Sequence, residues 1–526
     1  MLLSLFPSEI VSHILEFAPE CTLRLLHTGN TLLRRKLTYR ASAQIFSKTA
    51  LDQLTNYKLQ LVYLQASFCP PVESIMYLSS LLTLNLSDIG LESIPPDLGS
   101  LSSLETLDLS YNRLKSIPEE ICFLSSLETL NLSSNFKLSI PGKMRSLTSL
   151  KVLNLSGICL KCIPSQLISL SSLEVLNLSR NSLKSIPAKL RFLRSLRTLK
   201  VSGNWLQSIP SELGSLISLQ ELYINRNQLI SIPSSLESLS SLKILNLSGN
   251  WLTSIPSELG RLPCLETFDL SYNNLTSVPS ELGYLLSLRT LNLVQNRLNS
   301  IPRELGFLSS LETLALSLNK LTSIPSELGS LSSLKKLDLS RNRLMSVPSE
   351  LGSLSSLKEL YLSCNRLMII PSELGSLSSL EMLNLSYNEL VSIASNLGSL
   401  SSLQTLDLSY NSLITIPAEL GSLSTLHTLD LSFNQLISIP TQLGSLSSLK
   451  RFCLSFNQLT SVPTELGSMS SLQMLNLFSN KLISIPAQLS PISWSQMFYL
   501  LRRRFDLYPS ILPCPPIKRG PLYIYI

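Results

Sequence analysis

Histidine is nearly missing from this chain. Its 526 residues contain three, His13, His27 and His427, and only the last falls in the long central region. That supply excludes a Ser-His-Asp triad or a Cys-His pair there, because both need an imidazole beside the nucleophile. No G-x-x-x-x-G-K-[ST] phosphate loop occurs. The central acidic residues stand singly among Ser and Thr, without the apolar pocket that moves a carboxyl into acid-base range. The sequence therefore offers no catalytic group, and no cofactor or metal is expected.

Cysteine is scattered: nine residues, an odd number, with no clustered pairs. Cys159-Leu-Lys-Cys162 is a lone C-x-x-C without a second pair or a nearby histidine, so packing explains it better than metal or redox chemistry. A reducing compartment is the expectation. The mean hydropathy is positive, +0.26, yet no apolar run approaches the roughly 18 residues of a membrane span, because polar residues interrupt the leucines. The net charge of +7 divides unevenly. Residues 1–80 carry +2, the central region +1 and residues 495–526 carry +4. A near-neutral centre argues against a nucleic-acid groove. The opening MLLSLFPSEI lacks a basic stretch and meets Pro7 and Glu9 early, so it reads as no signal peptide, and a cytoplasmic location is expected.

What the chain has instead is a period. Leu334 to Ser356 reads LKKLDLSRNRLMSVPSELGSLSS, 23 residues, and copies begin every 23 residues from Leu81 to Leu472, eighteen in all, covering 81–494. The skeleton is L-x-x-L-x-L-x-x-N-x-L-x-x-I-P-x-x-L-G-x-L-x-x. A fixed period of this length predicts a solenoid, in which no copy buries its apolar face alone. The Leu337/Leu339 alternation predicts a short strand with one face inward, stacked about 4.8 Å from its neighbours in a parallel sheet. The asparagine, present in sixteen copies and replaced by Ile89 and Ile158 in two, is placed to bond backbone groups at the turn. Pro348 to Gly352 predicts one helical turn with Pro at its start and Gly at its end. Leu344, Val347, Leu351 and Leu354 complete the core.

Seven apolar positions, one Asn and one Pro in register resemble the leucine-rich repeat family over about four-fifths of the chain. The N-x-L-x-x-I-P-x-x-L-G-x-L run looks most like the intracellular Ras-group class. The resemblance implies an α/β, right-handed solenoid with a concave parallel sheet. It also implies a non-catalytic protein-binding scaffold in signalling, with a small GTPase or a phosphatase subunit among the partners it suggests.

Residues 1–57 do not repeat. Apolar stripes predict three short helices, the first carrying Ile10, Ile14, Leu15 and Phe17, the third over Ala41–Leu51. Pro7, Glu9, Ile10, Ile14, Leu15, Pro19 and Leu23 resemble an F-box opening, although Phe6 replaces its usual Leu and the later Trp is absent. That resemblance implies docking of a Skp-type adaptor of a cullin ubiquitin ligase; the alternative is a helical cap. Residues 58–80 read as a degenerate copy with Leu61, Ile75 and Leu78 in register. Over 495–526, an apolar stripe from Trp494 through Phe498, Leu501 and Phe505 predicts a capping helix beside Arg502–Arg504, followed by a Pro-rich tail. Irregular copies begin at Leu127 and Leu150, where Lys137 fills an apolar slot and Ile158 replaces Asn. Ala394 replaces Pro in a later one.

Function on a solenoid resides at positions the fold does not dictate. Lys184, Lys189, Arg191, Arg194, Arg197 and Lys200 form a basic cluster that reads as solvated surface. Tyr387, Tyr410, Phe433 and Phe456 precede the asparagine in four successive copies. They predict a row of rings at the sheet rim, as a partner-docking site or as rings that stack to stabilise the turn. Asp407 and Asp430 lie on the two central strands and could orient a basic group of a partner. Seven N-x-S/T sequons, six at one strand position, read as unused by-products of the NLS triplet. An extracellular receptor or inhibitor is the third functional alternative.

Overall fold

The computed structural model describes the backbone of 41–45 and 61–66, all of 79–484, and positions 486 and 489. The chain forms two compact units, Met1–Leu275 and Thr276–Ile526. Over residues 81–484 both are built of 23-residue coils. In the first, three-residue strands run from Thr83–Asn85 to Thr267–Asp269; in the second, from Thr290–Asn292 to Met474–Asn476. Successive strands pair in parallel and in exact repeat register, as in Thr405↔Thr428, Leu406↔Leu429 and Asp407↔Asp430. No candidate membrane-spanning helix exists among the described residues.

One copy shows why the sequence folds this way. Leu334, Leu337, Leu339, Leu344, Leu351 and Leu354 are fully buried and Val347 nearly so. Burying a leucine side chain contributes about 1.5–3 kcal/mol, and here it is achieved only because the next coil closes over it. Pro348, extended at φ −68°, caps the five-residue 3-10 helix Ser349–Ser353. The proline's missing N–H falls where no helical bond is required. Where Ala394 stands in place of proline, φ is −69° and the turn Ser395–Ser399 forms unchanged, so the rest of the coil sets that geometry.

The asparagine ladder closes the other bend. Asn411 donates from Nδ2 to the carbonyls of Leu408, 3.0 Å, and of Leu385 in the preceding coil, 3.0 Å. Its Oδ1 accepts the Leu390 N–H at 3.0 Å. Each carbonyl in this row is served twice: Leu385 O also accepts from Asn388 and Leu408 O from Asn434. Each N–H is served once.

That asymmetry explains the irregular copies. Ile158 cannot accept the N–H that an asparagine would take from the coil before it. In that preceding coil Lys137 adopts φ +64°, which advances the chain by one residue. Leu138 then fills the core position, and its N–H bonds Asn135 O at 3.2 Å. The orphaned carbonyl, Leu155 O, still receives Asn181 at 2.8 Å. The two departures compensate each other.

Two expectations at the N-terminal side are corrected. Ala41–Ile45, expected inside a helix over Ala41–Leu51, is a strand paired in parallel with Leu61–Ala66. Leu61 is not in the register read from the period: Leu64 pairs with Leu84 and Tyr63 with Thr83. That coil is therefore three residues short, and the Leu61/Leu64 pair plays the part expected of residues 58 and 61. Pro7, Glu9, Ile10, Ile14 and Leu15 lie outside the described residues, as do the Trp494 to Phe505 stripe and the tail.

Candidate functional site

The residue before each asparagine occupies the left-handed region throughout: φ is +54° at Tyr387, Tyr410, Phe433 and Phe456, and +66° at Gly203. For a side chain with a Cβ this conformation costs about 1–2 kcal/mol, and residue types alone do not announce it, because glycine precedes the asparagine in only two copies, at Gly203 and Gly249. The bend is imposed by pairing. Tyr387 N–H bonds Ser409 O and Tyr410 N–H bonds Ser432 O, each at 2.9 Å. One consequence is that every such side chain is thrown out at the same edge.

Four consecutive rings there form a continuous stack. Centroids of Tyr387 and Tyr410 are 4.0 Å apart at 9°, Tyr410 and Phe433 4.0 Å at 9°, and Phe433 and Phe456 4.2 Å at 12°. Phe478, which sequence reading missed because it sits one position earlier in its copy, ends the stack edge-on at 5.5 Å. The rings are closer than the 4.8 Å strand spacing expected for them. Each contact of this kind adds about 0.5–1.5 kcal/mol beyond burial, of the size needed to offset the backbone cost. The faces are consumed by stacking, and what stays accessible at the edges differs along the row: Tyr387 is 50% and Phe456 41% exposed, while Tyr410 and Phe433 between them are half-buried. These edges line an open groove of about 610 Å³ with Asn365, Glu389 and the ladder asparagines 388, 411 and 434. Burial, then the hydrogen bond from Tyr387, pushes the Tyr410 hydroxyl up to about 12, so this phenol stays a neutral donor at physiological pH.

Asp407 and Asp430 face the same side three positions earlier in two of these coils. Each spends one oxygen on its own turn: Asp407 Oδ1 accepts the Ser409 N–H at 3.0 Å and its hydroxyl at 2.7 Å, and Asp430 does the same with Ser432. Desolvation, reinforced by Asp407, raises Asp430 from 3.8 to about 6 despite the Ser432 bonds. The folded state thus holds this proton more tightly than the unfolded chain. The stability tied to it is fully present below pH 3.8 and lost as pH rises through about 6. Asp430→Asn keeps the acceptor, as Asn384 does toward Ser386 at 3.0 Å. It is expected to raise stability by about 2 kcal/mol at pH 7.5, discounted for partial exposure, and by nothing at pH 3. Thermal melts at the two pH values check this; an equal shift at both would remove the carboxylate as the cause.

The basic cluster at 184–200 does not assemble. Arg197 pairs with Glu174 at 3.3 Å, Arg191 lies over Phe192 and Lys200 over Tyr223. Lys189 belongs to the 3-10 turn Ala188–Phe192, on the side opposite the strand Thr198–Lys200. Elsewhere the second position of the copy carries an ion ladder, such as Arg289–Glu312 at 3.1 Å and Lys335–Glu312 at 2.7 Å. Its members are exposed, so each pair contributes little. Among the described residues no cluster of His, Cys, Asp and Glu is arranged to hold a metal ion.

A parallel sheet of short strands, an asparagine ladder and 3-10 turns define a repeat solenoid that displays one variable face. The chain belongs to the leucine-rich repeat family. The family described as leucine-rich repeat region matches residues 57–177, 280–394 and 392–490, and leucine rich repeat matches 207–279. No curated relative matches the sequence. Among solved structures, the chain is similar to the Leptospira interrogans leucine-rich repeat protein LIC12759, with 31% identity over 81% of this chain and 96% of that one, TM-score 0.63. It is also similar to the Arabidopsis receptor kinase HAESA, solved with the peptide hormone IDA and the co-receptor SERK1: 33% identity, 84% and 77% coverage, TM-score 0.65. PEPR1, solved with AtPEP1, gives 30% identity, 86% and 70% coverage, TM-score 0.65. Leucine-rich repeat solenoids of this kind are protein-binding scaffolds, and the family is typically non-catalytic.

Proposed function

We propose that this chain is a non-catalytic recognition solenoid that binds a peptide segment of a protein ligand along the ring-lined edge of its second unit, in the manner of a receptor ectodomain. The observation that carries this reading is the accessible stack of four rings over an open groove, since aromatic edges in a groove are favoured anchors for a partner. The similarity to the receptor kinase HAESA, solved with the peptide hormone IDA, supports it. Tyr410→Ser with Phe433→Ser is expected to weaken partner capture at least tenfold, about 1.4 kcal/mol. Tyr111→Ser with Tyr272→Ser, which alters rings standing singly at the same repeat position, is expected to leave capture unchanged. Equal capture by both folded pairs would move the site elsewhere.

A second reading, a cytoplasmic signalling scaffold, is favoured by the sequon asparagines. Asn131 Nδ2, the atom a glycan would occupy, donates to Asp108 at 3.0 Å, and Asn131 Oδ1 accepts from the sequon's own Ser133 at 2.8 Å. On this reading the partner is a small GTPase or a phosphatase subunit, or residues 1–57 dock a Skp-type adaptor. Two measurements separate the readings. A glycosidase-dependent gel shift of the native protein supports the receptor. Recovery of adaptor and cullin by the full chain, but not by a chain lacking 1–57, supports the ligase.

A further inference from the structure

The ring-lined edge does not stop at Tyr387. The tenth position of the copy follows the asparagine at the same bend, and over four successive coils before the rings it is Arg297, Lys320, Arg343 and Arg366. Arg341 joins them from the eighth position. All five are exposed, and among the described residues none makes an ion pair, whereas Lys335, Lys336 and Lys358 in the neighbouring rows all do. No acidic residue occupies the eighth, tenth or twelfth position anywhere in these four copies. At Glu389 the tenth position changes sign and then becomes neutral, with Ser412, Gln435 and Gln458. From that coil on, apolar side chains take the eighth position and most of the twelfth. The rings hold the eighth position, and exposed Val391, Ile414 and Ile437 hold the twelfth at 47%, 47% and 52% accessibility.

One edge of the second unit thus changes character along its length: four coils of unpaired cations, two of them with an exposed methionine at the twelfth position, Met345 and Met368, are followed by four of rings, three of which also carry an aliphatic twelfth residue. We infer that this edge binds an extended polypeptide segment with an acidic half and an apolar half, the acidic half on Arg297 to Arg366 and the apolar half on Tyr387 to Phe456. The inference rests on the peptide-recognition reading above and adds the chemistry of the ligand. Length agrees: seven repeat steps span about 30 Å, which an extended chain of about ten residues covers. Charge complementarity selects the acidic half, since unpaired cations in a row are costly only until an anion joins them. A sulfated polysaccharide or a nucleic acid would satisfy the cations alone. It would leave the rings uncovered and place its charge against Glu389.

The test uses the full chain and labelled synthetic peptides of about ten residues, with acidic and apolar residues in two blocks, in either order, or alternating. The blocked peptides are expected to bind about tenfold or more tightly than the alternating one. Arg343→Glu with Arg366→Glu should weaken blocked-peptide binding about tenfold or more and flatten its salt dependence. Arg180→Glu with Arg226→Glu, at exposed sites of the first unit, should change nothing. Equal binding of blocked and alternating peptides, indifference to the Arg343 and Arg366 changes, tighter binding of a heparin-derived oligosaccharide, or no peptide binding would each overturn the inference. If partner capture still falls on removing Tyr410 and Phe433, peptide recognition stands without this chemistry; if capture is indifferent too, both fall.

Discussion

Replacing Asn411 with isoleucine is expected to destabilise the second unit by about 3 kcal/mol, although the chain itself carries isoleucine at the equivalent Ile158. The reason lies in which bonds have a substitute. Losing Nδ2 leaves Leu385 O with its bond from Asn388 and Leu408 O with its bond from Asn434. About 1 kcal/mol goes with each lost bond, but neither carbonyl is orphaned. Losing Oδ1 strands the Leu390 N–H, a group of a fully buried leucine. An unsatisfied buried N–H costs a further 1–3 kcal/mol, about the size of the other losses together. At Ile158 that cost is avoided by the one-residue shift at Lys137, and no such shift precedes Asn411. Amide exchange reads the outcome directly: Leu390 should lose protection far more than Leu406, whose strand pairing is untouched. If Asn411→Ile leaves stability and the Leu390 amide unchanged, the compensation at Lys137 is not what makes Ile158 tolerable.

Much of this was legible because the repeat is a statement about neighbours. The period fixed which leucines are buried, where the strands lie and that they pair in parallel, since a 23-residue advance returns each residue to the same environment. The ring row was legible for the same reason: Tyr387, Tyr410, Phe433 and Phe456 share one position, so register alone brings them together. What was hidden needed backbone conformation. The left-handed bend under those rings could not be read from residue types, because tyrosine, phenylalanine, arginine and glycine all occupy it and pairing with the next coil overrides their preferences. The cations at the tenth position are 23 residues apart and become a row only through stacking, whereas the sequence-local cluster at 184–200 is distributed by the coil to opposite sides. The same difference separates local from stacked proximity at Leu61. There the pattern admitted two registers three residues apart, and only pairing with Thr83–Asn85 chose between them.

The recurring glycine illustrates a residue whose position was foreseen and whose reason was not. Gly352 was expected to end a helical turn, the place where glycine usually supplies a left-handed bend. It lies instead inside the 3-10 helix Ser349–Ser353, and its φ is not positive. Conformation alone therefore favours Gly352→Ala, by about 0.5–1 kcal/mol, through the entropy glycine loses on folding. Packing opposes it. A Cβ at Gly352 would stand 2.3 Å from the carbonyl oxygen of Glu373 in the next coil. That is nearly 1 Å inside van der Waals contact, and the obstacle is backbone rather than a movable side chain. Overpacking of this kind costs about 1–3 kcal/mol, occasionally more, and the same contact recurs at Gly329, also 2.3 Å, and at Gly375, 2.2 Å. The turns cannot separate at one coil without disturbing the next, so the clash is expected to win, leaving Gly352→Ala less stable by about 2–3 kcal/mol. Cys122, Arg145, Ile168 and Arg191 take this position in four consecutive coils of the first unit, where four neighbouring turns lack glycine at this position together. Chemical denaturation of Gly352→Ala beside the exposed control Ser353→Ala decides the contest. A midpoint at or above that of the control would mean that the turns yield, and that glycine is retained here for something other than the approach of the next coil.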